Sequence, residues 1–161
     1  LSAYYRRTVE EFLQASPSEV LGDLVDGNRQ FGFGEIEGEA IDAWKEEIVC
    51  LKDQLAQLCN SLPEASRWGL LLEFPIPRRQ RRIDAVLLAG QLIFVLEFKS
   101  GTSGAAWSTG QQVEDYALDL AYFHAPSHHS IIIPVVIAPG LPYHSSSDVG
   151  TNVRSLAIAT I

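Results

Sequence analysis

A chain of 161 residues with 47% apolar content is sized for one folded domain with a sizeable core. No apolar run approaches the roughly 18–20 residues that span a bilayer, and the opening LSAYYRRTVEEFLQ lacks the regions of a secretory leader. A soluble, cytoplasmic protein with no membrane partner is therefore expected, and its net charge of −8 argues against a nucleic-acid binder, because neutralising phosphates needs a basic surface.

In chain order, residues 3–15 place Tyr5, Val9, Phe12 and Leu13 at helical spacing and predict a first helix. Ser16, Pro17 and Ser18 break it and cap a short second one. From Gly22 to Gly38 the sequence is rich in Gly, Asp and Glu and reads as loop. Its Gly32-x-Gly34 follows no strand, so it is not a dinucleotide fingerprint.

Residues 39–60 give the clearest helix, with Trp44, Ile48, Leu51, Leu55 and Leu58 along one face, and Pro63 ends it. At about 100° per residue from Trp44, Glu47 falls near 300°, at the border of that stripe, and Glu46 near 200°, on the solvated side. Cys50 and Cys59 sit about 13 Å apart along the same helix, which excludes a disulfide between them and fits reduced thiols.

Beyond Pro63 the period becomes that of strands: GLLLEFPI, RIDAVLL and LIFVLEFK, the last two joined at Ala89-Gly90-Gln91 as a hairpin. A helix, QQVEDYALDLAYFH, runs to Pro126. IIIPVVIA then reads as a buried strand that Pro134 makes irregular or an edge, and a Pro/Gly/Ser/His loop leads to a last strand. The order predicts an α/β fold with a mixed central sheet flanked by helices. His124 and His128 have the spacing of a helical metal pair, but Pro126 between them favours a solvated helix end; His129 and His144 have no evident role.

Chemistry enters with the charges in the apolar strands. Asp84 shares a face with Val86 and Leu88, and Glu97 and Lys99 share one with Val95 and Ile93. Burying such charges unpaired is costly, so the simplest arrangement gathers Asp84, Glu97 and Lys99 at one end of the hairpin. The two carboxylates, with a backbone carbonyl such as that of Phe98, are hard oxygen ligands suited to Mg²⁺ or Mn²⁺. Lys99 can then stabilise negative charge on a phosphoryl group. Four of the twelve basic residues, Arg78, Arg79, Arg81 and Arg82, lead into Asp84 and are candidates for phosphate contact.

An Asp followed about a dozen residues later by Glu-x-Lys on the next strand, here RRIDAVLL and VLEFKSG, resembles the signature of the PD-(D/E)XK nuclease superfamily. Gln112-x-x-x-Tyr116 on the following helix is similar to the motif of its RecB-type exonuclease branch. With AWKEEI on the preceding helix, residues 40–138 resemble nuclease-like domains that precede P-loop ATPase or helicase modules in bacterial proteins. Ile83 stands where the signature has Pro.

The resemblance implies a restriction-endonuclease-like core over 39–161, truncated at its C-terminal end, with 1–38 as a helical extension packed on it. It implies metal-dependent hydrolysis of DNA, in preference to RNA, with Gln112 and Tyr116 orienting the phosphate or the attacking water and Glu47 adding a carboxylate. The alternative is a degenerate nuclease fold that binds nucleic acid or regulates an attached ATPase. Because the chain starts with Leu, contains no Met and stops in SLAIATI, it is expected to be a piece of a longer polypeptide that continues into a P-loop ATPase.

Overall fold

The computed structural model describes residues 3–31, 36–76, 81–99, 106–137 and 156–158. Arg78, Arg79, Gly32, Gly34 and His144 therefore lie outside the described residues. The chain divides into two compact units, Leu1–Phe74 and Pro75–Ile161, a division that falls inside a strand. No helix among the described residues is long and apolar enough to cross a membrane.

The first unit opens with a strand, β1 (Tyr5–Thr8), where helical spacing predicted a helix from residue 3. It pairs antiparallel with β2 (Gly69–Ile76), Tyr5 opposite Leu72 and Thr8 opposite Gly69. Helix α1 is confined to Val9–Gln14 by a capping box: the Thr8 hydroxyl accepts from the Glu11 N–H and the Glu11 carboxylate accepts from the Thr8 N–H. Tyr5, Val9 and Phe12 are all buried, as their spacing required, but Tyr5 is buried by strand pairing, which overrides local periodicity.

Helix α2 (Pro17–Gln30) has the same device at Ser16 and Glu19, with Pro17 in its first turn. It runs through much of the stretch that composition marked as loop. The reason lies at Gly27, where an added Cβ would stand 2.6 Å from the Tyr4 Cβ. That glycine admits the Tyr4 backbone against the helix, and the Tyr4 ring stacks on Phe31 at 5.3 Å.

Helix α3 (Gly38–Ser61) buries Trp44, Ile48, Leu51 and Leu55 and packs against α1 and α2. Each such side chain contributes roughly 1.5–3 kcal/mol of burial. From its outer edge Lys52 reaches back to the end of α1, donating to the carbonyls of Phe12, Leu13 (3.3 Å) and Ala15 (2.6 Å). The ammonium thus satisfies carbonyls that the short helix leaves open. Cys50 and Cys59 are free thiols, and burial pushes the Cys50 thiol up.

In the second unit, β3 (Arg81–Ala89) and β4 (Leu92–Phe98) form an antiparallel hairpin turned at Gly90, whose φ of +65° is one that glycine adopts without strain. Helix α4 (Ala106–Phe123) leads to β5 (Ile131–Ile137), which lies parallel to β4 and to β6 (Leu156–Ile158). The arrangement is α/β with a mixed sheet, α4 packing on β4 and β5 through buried Val113, Tyr116, Ala117 and Leu120.

Pro134 is on neither an edge nor an irregular strand, contrary to its sequence reading; β5 has a neighbour on both sides. The Ile131 N–H and the Ile137 carbonyl both bond toward β4, so odd positions face β4 and Pro134 faces β6. Among the described residues, registered pairing with β6 runs from Val135 with Leu156 to Ile137 with Ile158. Pro134, which has no N–H to donate, precedes those pairs.

Candidate active site

The hairpin register fixes the candidate site. Val86 lies opposite Val95 and Leu88 opposite Ile93, so these residues share one face, and Asp84 and Glu97 continue it by alternation. The last registered pair is Ala85 with Leu96. Beyond it, the Asp84 side chain takes the next amide: Oδ2 accepts the Phe98 N–H at 2.8 Å. A strand residue points its N–H and C=O to the same edge, so the Phe98 carbonyl also faces Asp84's side.

Glu97 and Lys99 are buried at 6% and 7% exposure, whereas Asp84 is half-buried. The Lys99 backbone N–H extends the β4 ladder to the Ile137 carbonyl at 2.9 Å, which anchors the residue at the strand's end. Its Nζ has no hydrogen-bond partner among the described residues. A buried ammonium in that state is costly, and an anion placed beside it would lower the cost.

Helix α4 supplies the other half of the site. Gln112 and Tyr116 lie one turn apart, and Gln112 Nε2 donates both to Glu97 Oε1 and to the Tyr116 hydroxyl, the latter at 2.9 Å. Tyr116 is 2% exposed. Burial, then the charge of Glu97, pushes its phenol up, while the Gln112 bond and the charges of Arg81 and Asp84 act as smaller corrections. Arg81 is exposed and Arg82 half-buried at the start of β3.

Asp84, Phe98, Glu97, Lys99, Gln112 and Tyr116 thus all belong to the second unit, and hydrogen bonds tie Asp84 to Phe98, Glu97 to Gln112, and Gln112 to Tyr116. Glu47 is in the first unit, half-buried on α3, while Glu46 is exposed, the asymmetry that helical geometry requires. Among the described residues no group of three or more His, Cys, Asp and Glu side chains is arranged to hold a metal ion. The acidic donors at the hairpin end are the two carboxylates of Asp84 and Glu97.

His124 follows α4, half-buried, with Nδ1 2.6 Å from the hydroxyl of buried Ser127 across a 3-10 turn, and burial lowers its pKa. His128 is exposed.

Two buried carboxylates were passed over in the sequence, Asp119 on α4 and Glu73. Glu73, on β2 in the first unit, is 5% exposed, accepts the Trp44 indole N–H at 3.0 Å, and has φ +52°. A non-glycine residue held there is strained by about 1–3 kcal/mol, which marks a position fixed by its surroundings. The available signal was the acid within the apolar run GLLLEFPI, the same kind of signal that drew attention to Asp84 and Glu97.

No known protein family, curated protein or solved structure matches the chain.

Proposed function

We propose that the second unit carries a divalent-cation-dependent nuclease site of the PD-(D/E)XK kind on a restriction-endonuclease-like core, acting on DNA in preference to RNA. The observation that carries the reading is the end of the β3–β4 hairpin. There Asp84 is tied to the Phe98 amide, and Glu97 lies two residues before a buried Lys99 whose ammonium has no hydrogen-bond partner among the described residues.

The donor set fits Mg²⁺ or Mn²⁺. Asp84, Glu97 and the Phe98 carbonyl are hard oxygen ligands of the type these ions prefer, with water completing the coordination. Such an ion, when bound, acts as a Lewis acid toward the phosphoryl group and lowers the pKa of water. Lys99 neutralises the charge that grows on the phosphoryl oxygens as water oxygen bonds to phosphorus and the P–O bond to the leaving sugar breaks. Arg81 and Arg82 hold neighbouring phosphates, a local basic cluster on a chain of net charge −8. Attachment to a P-loop ATPase or helicase module belongs to the same proposal.

The test is incubation of the pure protein with labelled single- and double-stranded DNA and RNA, in Mg²⁺, Mn²⁺ or EDTA. Cleavage of DNA that EDTA abolishes supports the reading. Binding without cleavage under every condition would favour a degenerate nuclease fold used for docking.

A further inference from the structure

The Gln112 amide has two hydrogens, and both are directed inward: Nε2 bonds the Glu97 carboxylate and the Tyr116 hydroxyl. Tyr116 is 98% buried by its 2% exposure, and it lies on the packed face of α4 between Val113 and Leu120. A side chain so enclosed does not reach a polymer lying over the hairpin end. Its oxygen instead accepts the second Gln112 hydrogen and fixes the amide's rotation.

We propose that Gln112 and Tyr116 are positioning residues that act on Glu97 and do not touch substrate. Tyr116 sets the rotamer of Gln112, and Gln112 holds Oε1 of Glu97. The carboxylate is thereby presented in one orientation, with its remaining lone pairs free of rotational averaging. Partners of this kind, hydrogen-bonded to a ligating carboxylate, are worth about 10- to 100-fold in cation affinity. The consequence for cation binding rests on the nuclease reading; the hydrogen-bond chain itself does not.

Two measurements on the 161-residue chain separate these parts. In the absence of metal, the side-chain amide signals of Gln112 are compared by NMR in the wild type and Tyr116→Phe. The expected result is a shift and a loss of exchange protection for one of the two amide hydrogens. Unchanged signals would overturn the role of Tyr116. Mg²⁺ and Mn²⁺ binding is then measured by calorimetry in the wild type, Tyr116→Phe and Gln112→Ala, with binding of a labelled DNA oligonucleotide in EDTA alongside. Cation affinity is expected to fall at least about tenfold in both variants, with DNA affinity unchanged.

Gln112→Ala is the safer variant for folding, because Gln112 is only half-buried. Lost DNA affinity with intact cation binding would overturn the proposal in favour of direct substrate contact. A wild-type protein that binds neither ion would overturn the cation role together with the nuclease reading, and the amide signals would still decide the hydrogen-bond chain.

Discussion

Asp84 accepts the backbone N–H of Phe98 through its side chain, at 2.8 Å, where the β3–β4 ladder has run out of registered pairs. One carboxylate oxygen therefore has a structural task in addition to any catalytic one. Asn retains an oxygen that can accept the same N–H, whereas Ala does not. Asp84→Asn should keep most of the native stability, and Asp84→Ala should lose roughly 1–2 kcal/mol more, measured by urea denaturation. Equal losses would show that the contact with Phe98 contributes nothing.

The helix α3 pair Glu46 and Glu47 separates a site role from surface chemistry. Glu47 is half-buried and Glu46 exposed, on the same helix and one position apart. If Glu47 contributes a carboxylate to turnover, Glu47→Gln should slow metal-dependent cleavage at least about tenfold, roughly 1.4 kcal/mol of barrier. Glu46→Gln should be neutral in rate and stability. Equal effects, or a larger one at Glu46, would rule out a role for Glu47 in turnover.

How much of this was legible in sequence depended on whether a signal was local. Asp84, Glu97 and Lys99 stood out because a charge on an alternating apolar strand has few inexpensive places to go, and the register does bring the carboxylate-bearing positions to one hairpin end. Helix α3 followed from the 3.6-residue period alone, whereas Gln112 and Tyr116 were singled out by the resemblance and the helical period only put them on one face. What was missed depended on distant partners. The strand character of Tyr5–Thr8 comes from β2, and the helicity of Gly27 comes from the approach of Tyr4. The interior place of Pro134 comes from β6 lying beside β5, and the left-handed backbone of Glu73 accompanies the bond from Trp44.

Two glycines of α2 should respond in opposite directions to Ala. At Gly22 an added Cβ meets nothing, so Gly22→Ala should gain about 0.5–1 kcal/mol from the entropy of the unfolded chain and helix propensity. At Gly27 it meets Tyr4 at 2.6–2.9 Å, including backbone, so Gly27→Ala should lose roughly 1–3 kcal/mol. Thermal melts of the two variants check this. Stabilisation by both would mean that Tyr4 does not press on α2.

Tyr5 predicts an alkaline weakness. Its hydroxyl is buried with no hydrogen-bond partner among the described residues, and burial pushes its pKa up from 10.0 to about 12, against the pull of Arg7 and with the push of Asp23, Glu11 and Glu19. The native state then holds the phenolic proton more tightly than the unfolded state. The associated stability is intact below about pH 10 and is lost as pH rises toward about 12. Tyr5→Phe should lose less stability than the wild type over that interval and be neutral to stabilising at pH 7, where it removes a polar group lacking a partner. Urea midpoints at neutral and alkaline pH report both, and an identical alkaline loss in the variant would contradict the assignment.

We propose that the hairpin end hydrolyses phosphodiester bonds with a divalent ion. This is tested most directly by cleavage of labelled DNA in Mg²⁺ by the wild type and by Asp84→Asn, Glu97→Gln and Lys99→Ala, each confirmed to be folded. All three are expected to fall at least about a hundredfold, roughly 2.7 kcal/mol of barrier, with Lys99→Ala alone retaining cation affinity. Undiminished cleavage by folded Asp84→Asn would contradict it.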